Sequence, residues 1–89
     1  MNRSDILAAA KEIITKGREE QYGKPKDNFE LIASLWSAYL GTKITAHDVP
    51  ILLALLKIGR IGSGQVKADN YIDLVGYAAL AGELAEGNK

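Results

Sequence analysis

The sequence contains no cysteine and only one histidine, His47, among its 89 residues. The lack of cysteine excludes disulfides, thiolate metal sites and cysteine nucleophiles. A single histidine also argues against a zinc site built from imidazole ligands. We expect His47 to be exposed and to have no catalytic role.

The chain also lacks an excess of either charge, because eleven basic residues balance eleven acidic ones. Proteins that bind a nucleic-acid duplex through its phosphates carry a basic surface, so a duplex is not an expected partner. Asp5 and Glu12 interrupt the first apolar stretch, and no apolar run reaches the length of a signal or membrane segment. We therefore expect a cytoplasmic protein without a membrane partner.

Hydrophobic residues make up 47% of the sequence, which is enough for a core, and we expect a single domain over residues 1–89. Apolar residues recur at helical spacing, and no segment alternates as a strand would. The first two predicted helices cover residues 5–16 and 28–40, the third contains residues 51–61, and the last follows a cap at Asp69 and ends near residue 83. This pattern predicts an all-α fold, a small antiparallel four-helix bundle.

Several polar residues are placed to cap these helices. The predicted caps are Ser4, a capping box of Asp27 with Glu30, either Thr45 or Asp48, and Asp69. A cap at Thr45 would leave Pro50 beyond the tolerated first turn, so we expect one irregular turn before Pro50.

The third predicted helix, ILLALLKIGRI, is apolar on nearly every side. Such a helix is buried all round, either at the centre of a bundle or in a subunit interface. In a chain this small, the pattern predicts a homo-oligomer. In the fourth helix, Gly76 and Gly82 are expected to allow another helix to approach closely, because mid-helix glycines otherwise cost stability.

Charged residues line both sides of the turn between the last two helices. Lys57 and Arg60 lie near the end of one helix, and Asp69, Asp73 and Tyr77 recur at four-residue spacing on the next. Residues three and four apart share a helix face, so the two sets are expected to face each other. The cluster is either a structural ion-pair network or a small polar site.

Two further features bear on chemistry. The polar segment 17–26 is predicted to be a loop, and its Arg18 and Tyr22 offer a guanidinium for phosphates and an aromatic face for bases. Alternatively, Tyr22 closes the end of the bundle.

Asp69 and Asp73 could share a magnesium ion, which prefers oxygen ligands. Phosphate-binding glycine motifs and nucleophile-base pairs are absent from the sequence.

Several motifs resemble a family of small phage-encoded helical domains of unknown function. They are RxxxYGxPxxNF at 18–29, IAxLWSAYLG at 32–41, ITAxDV at 44–49, LLKIGRI at 55–61 and DNYIDLVGYAAL at 69–80. The resemblance covers nearly the whole chain. It implies a phage protein that acts in the host cytoplasm.

That family is in turn similar to the MazG-like, all-α nucleotide pyrophosphohydrolases and to phage nucleotide-modification-associated domains. By this resemblance Asp69 and Asp73 match a metal-binding acidic helix. The EExxE helix of MazG-like enzymes has no counterpart here, because the second predicted helix offers only Glu30. The resemblance therefore implies nucleotide binding more directly than hydrolysis.

The leading hypothesis is a homo-oligomer that binds a nucleotide-derived small molecule without turnover. By analogy with phage proteins that sequester nucleotide signals of bacterial immunity, the ligand would be an ADP-ribose derivative or a cyclic nucleotide. The expected ligand contacts are Arg18, Tyr22, Asn28, Lys57, Arg60, Asp69, Asn70, Asp73 and Tyr77. The alternatives are a magnesium-dependent nucleotide pyrophosphohydrolase and an inhibitor that binds a host enzyme through the apolar third helix.

Overall fold

The computed structural model describes residues 1–87, without the side chain of Arg18. Four longer helices and one short helix account for most of these residues, and none of them lies in a strand. The helices are α1 (Arg3–Thr15), α2 (Arg18–Tyr22), α3 (Pro25–Leu40), α4 (Asp48–Gly62) and α5 (Ala68–Ala85). The predicted all-α fold is thus confirmed for the described residues.

The start of α1 lies earlier than the sequence predicted. Asn2, and not Ser4, is the N-cap, because its side chain accepts a hydrogen bond from the backbone N–H of Asp5 at 2.9 Å. The Asp5 carboxylate in turn accepts from the backbone N–H of Asn2 at 3.1 Å, which completes a capping box. Ser4 lies inside the helix.

The polar segment 17–26 is not a simple loop, since it contains α2. Gly17 and Gly23 flank this short helix, and both have positive φ values, 69° and 77°, which glycine adopts without strain. The following helix, α3, begins at Pro25. Proline suits the first helical position because its missing N–H has no partner there. The predicted Asp27 box is therefore wrong, and Asp27 lies in the first turn without capping α3.

The start of α4 combines both predicted caps. The backbone N–H of Thr45 donates to Asp48 Oδ2 at 2.8 Å, and the backbone N–H of Asp48 donates to Thr45 Oγ1 at 3.2 Å. The two bonds enclose one irregular turn, and α4 begins at Asp48, so Pro50 falls within its first turn. The bond from the backbone N–H of Thr45, followed by the Thr45 side chain, lowers the pKa of Asp48.

Helix α5 packs against both α4 and α1, while α3 packs against α4. Its own first turn follows Lys67 and has no side-chain cap, so Asp69 lies inside the helix. The close approach predicted at Gly76 is confirmed, because a Cβ there would lie 3.0 Å from Ile14 Cγ2 of α1. At Gly82 nothing lies within 4 Å of such an atom, so the same prediction is wrong for Gly82 within one chain.

The core is small. Its main cluster consists of Phe29 and Ala33 from α3, Val49 from α4 and Leu80 from α5, with partly buried neighbours that include Trp36. The outward side of α4 is exposed, so burial of that helix at the centre of a single chain is excluded for the described structure. His47 is exposed as expected.

Candidate functional site

The structure joins Lys57 of α4 to Asp73 of α5. Lys57 Nζ lies 2.7 Å from Asp73 Oδ2, and the two side chains are 11% and 32% exposed. Moving charges out of water is costly, and a pair of this kind is seldom the most stable filling for a helix contact. The pair links α4 to α5, with the ammonium group buried and the carboxylate partly open to water.

The other charged residues of the predicted cluster stand apart from this pair. Arg60 and Asp69 are exposed, and neither forms an ion pair within residues 1–87. Of the two cations and two carboxylates expected to face one another, the structure pairs Lys57 with Asp73. Arg60 thus keeps its guanidinium in solvent.

Asn70 has a structural partner. Its residue is 6% exposed, and its side-chain Nδ2 donates to the backbone carbonyl of Gln65 at 2.7 Å. The same residue's backbone N–H donates to the carbonyl of Lys67 at 3.1 Å. Asn70 thereby closes the turn between α4 and α5, a role that the sequence analysis did not foresee.

Asp73 and Tyr77 both line a cavity of about 80 Å³ between α1 and α5. The remaining lining is apolar and includes Ile13, Ile14 and Leu80. Ligand pockets for small molecules usually have volumes of roughly 300–1,000 Å³, so this cavity alone accommodates only a ring or a sugar.

Two further cavities continue from this one along α5. A cavity of about 200 Å³ shares Ile14 and Leu80 with the first and adds Glu19, Pro25 and Glu83. A third, of about 370 Å³, shares Glu19, Pro25 and Glu83 and adds Lys24 and Lys26. Neighbouring cavities share lining residues, and we call the three together the α5 groove.

Lys24 and Lys26 were missed by the sequence analysis. They flank Pro25 where α3 begins, and α3 has no side-chain cap, so its first-turn N–H groups add a partial positive charge there. The two lysines share this end of the groove with the carboxylates of Glu19, Asp27 and Glu83. The only signal in the sequence is the KPK triplet before a helix.

Two of the remaining predicted contacts, Tyr22 and Asn28, line none of the three cavities of the α5 groove. Tyr22 ends α2 and is 53% exposed, and Asn28 is partly buried in the first turn and a half of α3. The side chain of Arg18 lies outside the described part of the structure, so its predicted contact with phosphate stays a prediction.

A magnesium centre does not fit the predicted carboxylates. Asp73 already holds Lys57 at 2.7 Å, and Asp69 is exposed in the first turn of α5. Throughout residues 1–87, no group of three or more histidine, cysteine, aspartate or glutamate side chains is placed to hold a metal ion. We derive no metal-dependent step from these residues.

Comparison with known proteins decides the family. The model of a family described as a domain of unknown function, DUF6378, matches residues 5–85. The chain belongs to the DUF6378 family. The sequence analysis predicted a small phage-encoded helical family of unknown function, and this prediction is confirmed.

Two curated relatives of this DUF6378 chain are phage proteins. It is 42% identical over 76 residues to the Gene 55 protein of Mycobacterium phage L5, which covers 84% of the chain and 49% of the relative. It is 37% identical over 81 residues to the Gene 55 protein of Mycobacterium phage D29, which covers 91% of the chain and 54% of the relative. The chain thus spans about half the length of these relatives. No solved structure matches it.

One feature concerns the membrane. Within the described residues of the DUF6378 chain, no helix is both long and apolar enough to cross a bilayer.

Proposed function

We propose that the DUF6378 chain is a homo-oligomeric helical bundle that binds a nucleotide-derived small molecule in the α5 groove and leaves it chemically unchanged. The ligand class is an ADP-ribose derivative or a cyclic nucleotide. In the host cytoplasm, such binding would remove a signalling nucleotide of bacterial immunity from its receptor.

The α5 groove is the observation that carries this proposal. Its largest part, about 370 Å³, falls within the volume range of small-molecule sites, and the narrow part beside Tyr77 extends it along α5. A ligand with a flat ring, a sugar and phosphates has the elongated form that such a groove accommodates.

The lining matches the groups of that ligand class. Lys24 and Lys26, with the N-terminus of α3, provide positive charge for phosphate oxygens. The nearby carboxylates of Glu19 and Glu83 accept hydrogen bonds from ribose hydroxyls or from amino groups. At the other end, Tyr77 offers a ring to stack on a base, and Asp73 offers a further acceptor.

The donor set in the described residues supports binding without turnover. Asp73 is bound by Lys57, and Asp69 stands alone, so the pair is poorly suited to hold magnesium against a pyrophosphate. Binding alone needs no metal-holding carboxylates, whereas metal-dependent hydrolysis does, so binding is the simpler use of the groove.

The first experiment tests binding and turnover together. Purified protein is incubated separately with ADP-ribose, a cyclic dinucleotide and a nucleoside triphosphate, washed, heat-denatured and analysed by mass spectrometry. Recovery of the intact ligand supports the proposal. Recovery of a cleavage product supports an enzyme, and retention of none of these probes contradicts the proposal.

A variant pair locates the site. Lys24→Ala combined with Lys26→Ala should weaken binding at least about tenfold, because each hydrogen bond to a charged group contributes roughly 1.5–3 kcal/mol. Lys67→Ala is the control, since Lys67 is exposed and lines none of the cavities of the α5 groove. Equal affinity of both variants, measured by titration calorimetry, would show that the ligand binds elsewhere.

A further inference from the structure

The outward face of α4 is apolar and uncovered. It consists of Ile51, Leu52, Leu55, Leu56, Ile58 and Gly59, and its five large side chains are between 39% and 55% exposed. At 100° per residue these six positions span one continuous side of the helix, and no charged residue interrupts it. The buried Lys57 lies on the opposite side, and Arg60 lies at the edge of this surface, about 40° from Leu56. We call this surface the α4 face.

The single chain exposes more surface than its size requires. Its accessible area is 6181 Å², whereas a folded monomer of 9.6 kDa is expected to expose about 5,100 Å². The difference, roughly 1,000 Å², is close to the ~800 Å² that each partner gives up in a standard stable interface. The radius of gyration, 13.7 Å, also exceeds the ~12 Å expected for a compact domain of this length.

We propose that the α4 face is covered by the α4 face of a second copy, in a two-fold dimer with the two α4 helices antiparallel. The proposal deepens the homo-oligomer of the proposed function by naming its surface, and it can fail while ligand binding stands. None of the cavities described above is lined by the α4 face. A flat apolar helix face is suited to another helix and not to a small molecule.

Self-complementarity favours a second copy over a different protein. In a two-fold antiparallel pair of helices, the residue numbers of any two facing positions add to the same value. With the axis between Leu55 and Leu56, Leu52 of each chain therefore faces Gly59 of the other. Gly59 has open space around its missing Cβ, with nothing within 4 Å. A leucine from the other copy can fill that space and let the helices approach closely.

The charges at the ends of α4 agree with the antiparallel arrangement. Asp48 lies in the first turn and Arg60 in the last turn. When two such helices run in opposite directions, the acidic start of each lies beside the basic end of the other, and the helix dipoles are also opposed favourably. The net charge of zero gives no general repulsion between copies.

The first test measures molar mass by light scattering. The unmodified protein should have twice the chain mass of 9.6 kDa. Leu55→Glu should restore the single-chain mass, because it places two carboxylates near the two-fold axis. Leu7→Glu is the control, since Leu7 is 58% exposed on α1 and outside the α4 face. It should remain a dimer, and circular dichroism should confirm that both variants are helical.

The second test fixes the register by cross-linking, which the cysteine-free sequence makes simple to read. Leu52→Cys combined with Gly59→Cys should form a disulfide-linked dimer on mild oxidation. Leu52→Cys alone should not, because the two copies of position 52 would lie seven residues apart, about 10 Å along the helix axis.

Each outcome of these two tests bears on a different part of the proposal. A monomeric unmodified protein, or a dimer that Leu55→Glu leaves intact, overturns the α4 face as the interface. A monomer that retains its nucleotide overturns the dimer alone, and a monomer that instead captures a host protein through Leu55 assigns the α4 face to that partner. A dimer broken by Leu55→Glu but not linked through positions 52 and 59 overturns the register.

Discussion

The Lys57–Asp73 pair predicts an asymmetric response to mutation. Asp73→Asn leaves an 11% exposed ammonium without its carboxylate, whereas Lys57→Met leaves a carboxylate that is 32% exposed and can reach water. Removing one partner of a fully buried pair costs roughly 3–5 kcal/mol. We therefore expect about 3 kcal/mol for Asp73→Asn and, after allowance for solvent, about 1–2 kcal/mol for Lys57→Met.

These losses are large for this chain, since domains of its length unfold with roughly 5–10 kcal/mol. The measurement is urea unfolding followed by circular dichroism, at one protein concentration because oligomers unfold in a concentration-dependent way. Asp69→Asn is the control. Asp69 is exposed and forms no ion pair within residues 1–87, so its change should stay within about 0.5 kcal/mol.

The double variant Lys57→Met with Asp73→Leu separates a structural role from a binding role. An apolar pair of similar volume often restores stability. We expect near-normal unfolding together with weakened nucleotide binding. Equal losses of stability in Asp73→Asn and Lys57→Met would refute the burial argument. Normal binding by the stable double variant would assign the pair to the scaffold alone.

Two other predictions concern stability. Gly82→Ala should raise the unfolding free energy by up to about 1 kcal/mol, because Gly82 is mid-helix in open space. Gly76→Ala should be less stable than Gly82→Ala by at least about 1 kcal/mol, because its Cβ would meet Ile14 Cγ2 at 3.0 Å. Thermal unfolding of the two variants compares them directly. The folded protein lowers the pKa of Asp48 below its ordinary value of 3.8, so the ionised cap adds to the free energy of unfolding. This contribution is complete above pH 3.8 and is lost as the pH falls through the lower pKa of the folded state. Asp48→Asn should therefore flatten the stability profile below about pH 4, and an unchanged acid limb would contradict this assignment.

The longer helices could be predicted from the sequence because their apolar residues repeat at helical spacing over several turns. The short helix α2 could not, since five polar residues between two glycines carry no such period. The N-cap residues were harder to predict than the helices, because several polar residues lie near the start of each helix and any of them could cap it. Asn2 precedes Ser4 at α1, and Pro25 determines where α3 begins, three residues before the predicted start.

The candidate site was predictable only where two helices are joined by a short turn. Lys57 and Asp73 lie on either side of the same hairpin, so their pairing follows from helix periodicity. The lysines at 24 and 26 meet α5 only because the chain turns through α2 before α3 begins. That path depends on packing between elements distant in sequence, which local patterns do not encode.

The position of α5 has a consequence for how the protein is made. Among the described helices, α1 packs mainly against α5, which follows all the others along the sequence, and more weakly against the short α2. A ribosome-bound fragment that ends before Ala68 therefore leaves the opening helix with little to pack on. Packing of α1 onto the bundle should therefore be completed only after α5 has emerged, which makes this contact one of high sequence separation.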